Sequence, residues 1–393
     1  MKTQVAIIGA GPAGLILSHL LHLQGIESVI LEARSRSYIE QRVRAGVLEQ
    51  GTRDLLIDVG LGERMVRQGV IHKGTEIRFG SRLHRIDFAD LTGKAVTVYG
   101  QQEVVKDVID ARLAAGGQII FEANDVTVEG IDSDSPVVRF SKDGVDETLH
   151  CDFVAGCDGF HGICRSLIPE DIRTEYQRVY PFAWVSILAE APPVSEEIVY
   201  SHQENGFALY SMRSPTLSRH NVQCNANEDV SEWPDQRIWD ELRARLGPGR
   251  EGDLVEGPIL DKLITVMRSF VVEPMHYGRL FLAGDSAHIV PPTGAKGMNL
   301  AIADVRTLSA AFVKYYRTGK TDQLERYSDI CLDRVWKVQR FSSWMTSMLH
   351  QYPDPTGVTE KLQLAELDYI SKSRAAATAL AENYVGLPYV SLD

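Results

Sequence analysis

Five groups of residues in this chain could do chemistry. The first is the run Gly284-Asp285-Ser286-Ala287-His288-Ile289-Val290-Pro291-Pro292-Thr293-Gly294-Ala295-Lys296-Gly297-Met298-Asn299-Leu300. Asp285 can accept hydrogen bonds from sugar-type hydroxyls. The prolines and glycines make a rigid loop with no side chain to block a flat ligand. A helix starting at Met298 would offer free N–H groups and partial positive charge to an anion. Taken alone, the run reads equally as an ordinary strand–loop–helix crossover with a turn-forming Asp. The second group is Gly9-x-Gly11-x-x-Gly14, followed by Glu32. Its glycines let a pyrophosphate approach a helix start, and the acid about 20 residues on suits a ribose 2′-OH. Glu32 repels a 2′-phosphate, so FAD or NAD fits this pocket better than NADP. The third is Arg42-Val43-Arg44-Ala45-Gly46-Val47, two arginines that either flank a pyrophosphate or form a solvated patch. The fourth is Asp158, His161 and Arg165 around an Asp-Gly turn, able to touch phosphates or a second nucleotide. The fifth is Tyr200, Ser211, Arg213 and Arg219, spread along period-two stretches.

The elements that must hold these groups follow from the pattern. Gln4 to Ile8 is a short apolar strand, and a helix runs from the glycines to about Gln24, where Gly25 stops it. Ser28 to Leu31 is a second strand ending in Glu32, which completes a βαβ unit. Lys73 to Thr97 alternates like a meander of short strands, and Gln102 to Leu113 is helical. Gln118 to Leu149 reads as short strands, and Cys151 to Gly156 as a strand ending at Asp158-Gly159. Phe182 to Leu263 reads as a mostly antiparallel sheet with one helix near Asp235 to Leu246. Arg279 to Ala283 is an apolar strand, and helices cover Leu324 to Leu349 and Glu360 to Ala381. The expected class is α/β: a Rossmann-like nucleotide-binding fold with an α+β, antiparallel-sheet substrate domain inserted. Residues 1–72, 98–181 and 268–350 would form the FAD-binding domain, 73–97 and 182–267 the substrate-binding domain, and 351–393 a C-terminal helical, interface segment.

Composition narrows the function. The chain has 393 residues, a net charge of −12 and no Lys/Arg-rich run, which argues against nucleic acid or an anionic membrane as partner. Its five cysteines are odd in number and lack C-x-x-C spacing, so reduced thiols in a cytoplasmic protein are expected, with no disulfide frame and no zinc. His19 and His22 share a helix but have no acidic or thiol neighbours, so no metal site is expected there. Val5 to Leu23 is apolar but broken by Gly9, Gly11, Pro12 and Gly14, which suits a buried strand and helix rather than a leader or a membrane span.

Gly9-x-Gly11-x-x-Gly14, Asp158-Gly159 and Gly284-Asp285 together resemble the group A flavin-dependent aromatic hydroxylases. Longer strings carry the likeness along most of the chain: Arg44 to Gly51, Gly156 to Gly162, Arg268 to Met275 and Glu382 to Tyr389. The resemblance implies FAD as bound cofactor, NAD(P)H and O2 as co-substrates, a small aromatic acid as substrate and a homodimer. It places Glu32 on the adenosine ribose, Arg44 near the pyrophosphate, Gln101 at the flavin end, Asp285 on the ribityl chain and Met298-Asn299 beside the pyrimidine ring. Arg42, Val43, Ala45, Gly46, Val47 and Asp158 complete the cofactor set. NAD(P)H would bind transiently near Arg34, Tyr38, Arg44, His161, Arg165 and Arg268. Substrate residues would be Tyr200, Ser211, Met212, Arg213, Asn221 and Pro292, with Arg213 and Ser211 on a carboxylate. Tyr200, Tyr384 and His72 would carry the phenol proton to solvent, and Arg219 would favour the anionic reduced flavin. The implied reaction hydroxylates 4-hydroxybenzoate at its 3-position.

Two positions depart from the family pattern. Asn221, beside His220, stands where the family has a tyrosine that helps hold the carboxylate. Ala33 stands where the best-known pattern has an arginine, in a segment thought to choose between NADPH and NADH. Asn221 motivates an alternative substrate, 3,4-dihydroxybenzoate or 4-aminobenzoate. A flavin-binding protein without turnover and a plain NAD-dependent dehydrogenase are the other readings.

Overall fold

A computed structural model describes residues 1–42, 44 and 46–390. The nucleotide-binding part is a six-stranded sheet in the order His276–Tyr277, Leu280–Leu282, Phe153–Gly156, Val5–Ile8, Ser28–Glu32, Gln118–Phe121. All its neighbours run parallel except the edge pair His276–Tyr277 with Leu280–Leu282. Parallel strands covered on both faces need continuous apolar sequence, and Val5–Ile8 is buried at every position. The helix Pro12–His22 begins with Pro at its first turn and packs against the long helix Gly297–Thr318. It ends two residues before Gln24, and Gly25 follows at φ +71°.

The second sheet has eight strands: His288–Ile289, Ile259–Glu273, Thr174–Ala189, Leu217–Asn225, Gly206–Ser214, Val199–Gln203, Gly74–Phe79, Arg82–Asp87. It is antiparallel apart from the parallel pair Val199–Gln203 with Gly74–Phe79. Strand alternation gives it two different faces. One face carries Trp184, Tyr200 and Phe207 into a core shared with Tyr384 and with Phe341, Met345 and Leu349 of the helix Tyr327–Leu349. The other carries Val185, Ala208, Tyr210 and Val222 against the helix Asp235–Ala244. The pocket described below lies on the first face.

Three elements differ from the sequence expectation. The stretch 73–97 is a hairpin followed by a helix, Phe88–Thr92, because Asp87 caps it (its carboxylate accepts from Asp90 N) and Gly93 stops it in the left-handed region. The expected helix over 360–381 is two helices, Val358–Lys372 and Arg374–Val385. Ser373 breaks it and caps the second, its hydroxyl accepting from Ala376 N. The helix of the opening run starts at Gly297 and extends to Thr318. Among the described residues all five cysteines are free and buried, and no helix is long and apolar enough to cross a membrane.

Candidate active site

The first βαβ unit builds a groove. Gly9 sits at φ +104°, and a Cβ there would meet the Cys157 carbonyl oxygen at 2.4 Å. A Cβ on Gly14 would strike the Gly9 carbonyl oxygen at 2.1 Å, so helix and turn close only with glycine. A Cβ on Gly11 would face open space, as the approach of a phosphate requires. Glu32 is buried at the end of its strand. Its Oε2 accepts from Ala10 N at 2.8 Å and its Oε1 from Arg34 N at 2.8 Å, which fixes the carboxylate beside the glycine turn. Gly46 packs against the Tyr99–Gly100 backbone, and Gln101 opens the helix Gln101–Ala114. Arg42 is exposed and Arg44 half-buried. Burial and the neighbouring Arg42 lower the Arg44 pKa, while Asp285 opposes them. Val43 and Ala45 lie outside the described residues.

Asp285 stands in a short 3₁₀ turn, open to the groove yet deep in the fold. Burial pushes its carboxyl pKa up, against His288, Arg44 and Arg42, which pull it down. Behind it, the buried Asp304 carboxylate accepts from Gly284 N at 3.0 Å and lies 2.6 Å from His288 Nε2. Met298 is half-buried in the first turn of the helix. Asn299 follows it at the helix start, where its side chain has a structural task. Its Oδ1 accepts from Glu49 N, and its Nδ2 donates to the Val47 and Ala295 carbonyls, so its side chain staples the Val47–Leu48 strand to the helix start. Asp158 accepts from Cys164 N through Oδ2 and keeps a buried Oδ1 without a partner among the described residues. On the outer side Arg165 lies over Phe160 and Phe270, Arg268 over Phe160, and the exposed His161 edges on Phe160. Arg34 lies over the exposed Tyr38.

The second face of chemistry is one row across the large sheet. Tyr200, Leu209, Asn221 and Ser186 are direct neighbours on four adjacent strands, and Ser211, Arg219 and Leu188 form the next row. The Tyr200 hydroxyl is 2.8 Å from the Tyr384 hydroxyl and donates to the Thr293 carbonyl at 3.0 Å. Both tyrosines are 1% exposed, and burial raises both pKa values, so both rings stay neutral. Thr293 follows Pro292 in the turn Pro292–Gly294, which brings the tyrosine pair against the Pro-Pro loop. His72 is buried with neither ring nitrogen partnered among the described residues, and burial lowers its pKa to about 4. It is therefore neutral at pH 7.

Beyond that row Arg213 lies near Arg219 and makes the site cationic. Arg213 donates through Nη1 to the Met212 carbonyl, while its buried Nε has no partner among the described residues. Burial and the nearby Arg219 lower its pKa to about 9, so it remains charged at pH 7. Burial followed by Arg44 lowers the Arg219 pKa. Two half-buried guanidiniums without a carboxylate partner among the described residues are the counterpart of an anionic ligand. Ser211 lies between them, its hydroxyl donating to the Arg219 carbonyl at 2.9 Å, so engaging a carboxylate would require it to turn. Strand alternation sends the Met212 side chain to the opposite face, leaving its carbonyl as its contribution to the site. His220 likewise faces away, between Tyr210 and Trp239. Asn221 is buried in the pocket row, its Oδ1 accepting from Ser186 Oγ at 2.6 Å.

A family model described as an FAD binding domain matches residues 2–342. The chain is 49% identical to the p-hydroxybenzoate hydroxylase of Acinetobacter baylyi over 390 residues, 99% of this chain and 96% of that protein. The chain belongs to the FAD-binding family of flavoprotein monooxygenases. It is also 28% identical to a 3-(3-hydroxy-phenyl)propionate/3-hydroxycinnamic acid hydroxylase of Mycobacterium avium, over 78% of this chain and 54% of that one. The solved p-nitrophenol 4-monooxygenase of Pseudomonas putida shares the fold with a TM-score of 0.84 at 19% identity, covering 98% and 99% of the two chains. FAD is the cofactor of this flavoprotein, and the residues present fit it. The glycine cradle, the Glu32 carboxylate with a lone pair free on each oxygen, and the Asp285 carboxyl open to the same groove supply partners for a pyrophosphate and two sets of sugar hydroxyls.

Sequence reasoning missed several residues that shape the pocket. Thr293 contributes a carbonyl, which no side-chain pattern reveals. Lys296 is buried and donates to Glu49 at 2.7 Å and to the Tyr384 carbonyl at 2.8 Å, and Arg334 holds the other Glu49 oxygen at 3.1 Å. A charged triad this deep, scattered over positions 49, 296 and 334, leaves no local signal. Trp184 and His350, treated below, were equally silent.

Proposed function

We propose that this flavoprotein uses NAD(P)H and O2 to hydroxylate 4-hydroxybenzoate at the 3-position, giving 3,4-dihydroxybenzoate. The observations that carry the reading are the buried Tyr200–Tyr384 pair and the Arg213 guanidinium beside Arg219, whose buried Nε has no partner among the described residues. A phenol partner and a carboxylate partner in one pocket are the two contacts a hydroxylated benzoate needs. The 49% identical Acinetobacter baylyi protein bears the name of such an enzyme.

Arg213, helped by a turned Ser211 hydroxyl, would bind the carboxylate and set the ring's direction. Tyr200 and the Pro292 carbonyl would meet the phenol oxygen. In the ligand-free chain Tyr200 spends its one proton on the Thr293 carbonyl, so Tyr384 is the donor to Tyr200. Ionising the substrate reverses this order: phenol to Tyr200, Tyr200 to Tyr384, and Tyr384 onward to solvent by way of the neutral His72 ring, which would relay the proton without keeping it. A phenolate is electron-rich at its ortho carbon, which directs oxygen to the 3-position. Bound FAD supplies electron transfer from NAD(P)H and activation of O2. Arg219, with no carboxylate partner among the described residues, would stabilise negative charge on the reduced ring, and the buried row excludes water. Arg34, Tyr38, Arg44, His161, Arg165 and Arg268 would receive NAD(P)H.

A second reading, hydroxylation of 3,4-dihydroxybenzoate or 4-aminobenzoate, rests on Asn221. Its amide, tied to Ser186, occupies less of the row than a tyrosine would. Residues 1–72, 98–181 and 268–350 would serve as the FAD-binding domain and 73–97 with 182–267 as the substrate domain, joined by the long strands Thr174–Ala189 and Ile259–Glu273. Val358, Leu362 and Tyr369, exposed on the helix Val358–Lys372, would pack on a second copy in a cytoplasmic homodimer. The deciding experiment is oxygen uptake by purified protein with a panel of hydroxybenzoates, using NADH and NADPH in parallel. Coupled turnover with 4-hydroxybenzoate and none with the other two acids supports the first reading. The opposite pattern supports the second.

A further inference from the structure

The Tyr200 proton rests on the Thr293 backbone carbonyl, and Thr293 is held through its hydroxyl by a chain of buried side chains. Thr293 precedes the left-handed Ala295 in a short turn. Its Oγ1 lies 2.9 Å from the Thr346 hydroxyl, which is also 2.7 Å from the Ser342 carbonyl in the same helix. The Thr346 carbonyl in turn lies 3.0 Å from His350 Nδ1 and accepts from His350 N at 3.1 Å. His350 Nε2 accepts from the Trp184 indole N–H at 2.7 Å. Both ring nitrogens are then satisfied only in the neutral Nδ1–H tautomer. The imidazole is clamped between Phe182, stacked at 4.6 Å, and Phe207 at 4.3 Å. Thr293, Thr346 and His350 are all wholly buried, and Trp184 is 3% exposed. Trp184 lies on the pocket face of the strand next to that of Asn221 and shares the core of Tyr200 and Tyr384. The chain therefore runs from the pocket wall, through the end of the helix Tyr327–Leu349, back to the acceptor of the catalytic tyrosine.

We propose that His350 and Thr346 are positioning residues that hold the Thr293 carbonyl against Tyr200 and so keep the Tyr200 proton turned away from the substrate until the phenol ionises. This rests on the reading of the site as a phenol-binding pocket. The sign follows from the single proton of a tyrosine. While Thr293 takes it, Tyr200 faces the bound phenol as an acceptor, which favours the neutral phenol. A phenolate needs that proton turned toward it. A carbonyl held at 3.0 Å opposes the turn, and a loosened one opposes it less.

The test is the ultraviolet absorbance of 4-hydroxybenzoate bound to the FAD-loaded enzyme, titrated with pH. Thr346→Val is isosteric and removes only the hydroxyl, and Thr346→Ser restores it. His350→Phe keeps the aromatic stack but removes both ring hydrogen bonds. The valine and phenylalanine variants should lower the pH midpoint of the bound phenol by about half to one unit, the scale of one net hydrogen bond. That is roughly three- to ten-fold more phenolate at a fixed pH below the midpoint. Thr346→Ser should return the wild-type midpoint. An unchanged or raised midpoint in folded, FAD-loaded Thr346→Val overturns the proposal. A wild-type enzyme whose bound ligand ionises only where the free phenol does overturns the phenol-pocket reading and this inference with it.

Discussion

Replacing Tyr200 with phenylalanine removes one oxygen atom from the centre of the pocket. That oxygen has two neighbours, the Tyr384 hydroxyl at 2.8 Å and the Thr293 carbonyl at 3.0 Å, in a site closed to solvent. A free phenol with a pKa near 10 is only about 0.1% ionised at pH 7. Bringing the pKa to about 7 requires about 4 kcal/mol of preferential stabilisation of the phenolate. A hydrogen bond to a charged oxygen contributes about 1.5–3 kcal/mol of that, so its loss should cut the reactive fraction about ten- to a hundred-fold. The residues proposed to contact FAD and NAD(P)H lie elsewhere in the chain and are untouched. Tyr200→Phe should therefore keep oxidising NAD(P)H in the presence of 4-hydroxybenzoate while ring hydroxylation falls by one to two orders of magnitude, the oxygen leaving as peroxide. The assay follows NAD(P)H loss, peroxide and 3,4-dihydroxybenzoate in the same reaction. Equal product per NAD(P)H in variant and wild type would refute the role given to the tyrosine pair.

Arg213→Met should weaken 4-hydroxybenzoate binding by about ten- to a hundred-fold, because the carboxylate loses a charge-assisted partner, as a flavin-fluorescence titration would detect. Unchanged affinity would remove Arg213 from the carboxylate site. Glu32→Ala should raise the FAD dissociation constant at least about ten-fold, since it strips the ribose acceptor and leaves Ala10 N unpaired; gel filtration with the 450 nm band reads the loss. His220 is fully buried between Tyr210 and Trp239, and burial pulls its pKa down to about 3. The unfolded chain, with a histidine pKa of about 6.5, therefore takes up the proton first. This group's contribution is complete above about pH 6.5 and is lost as pH falls toward 3. His220→Phe should lose about 3 kcal/mol less stability than wild type between pH 7 and pH 4 in urea unfolding. Parallel losses in both proteins would show that His220 meets its proton elsewhere.

What could be read from the sequence was what is local in it. The glycines at 9, 11 and 14 and Glu32 sit within one βαβ unit, so a turn, a helix start and an acid suffice to recognise a nucleotide cradle. The alternation along 198–225 likewise announces the sheet that carries Tyr200, Ser211, Arg213 and Arg219. Tyr200 and Tyr384 are 184 positions apart, and their 2.8 Å contact depends on a helix docking over a distant sheet. Only the family likeness suggested it. That the Asn299 amide ties the Val47–Leu48 strand to the helix start was not legible either, because its three backbone partners lie up to about 250 positions away. The break at Ser373 escaped notice because no glycine or proline marks it; a serine caps the new helix instead. Thr293, Thr346 and His350 act through carbonyls and a tautomer, neither of which has a signature in residue order.

The central claim is that this pocket delivers oxygen to the carbon beside an ionised phenol. It is tested most directly by turnover of 4-hydroxybenzoate under ¹⁸O₂, with the product analysed by mass spectrometry. The account predicts 3,4-dihydroxybenzoate carrying a single heavy oxygen at the 3-position, formed in proportion to the NAD(P)H consumed. Recovery of unlabelled acid with all the heavy oxygen in peroxide would contradict it.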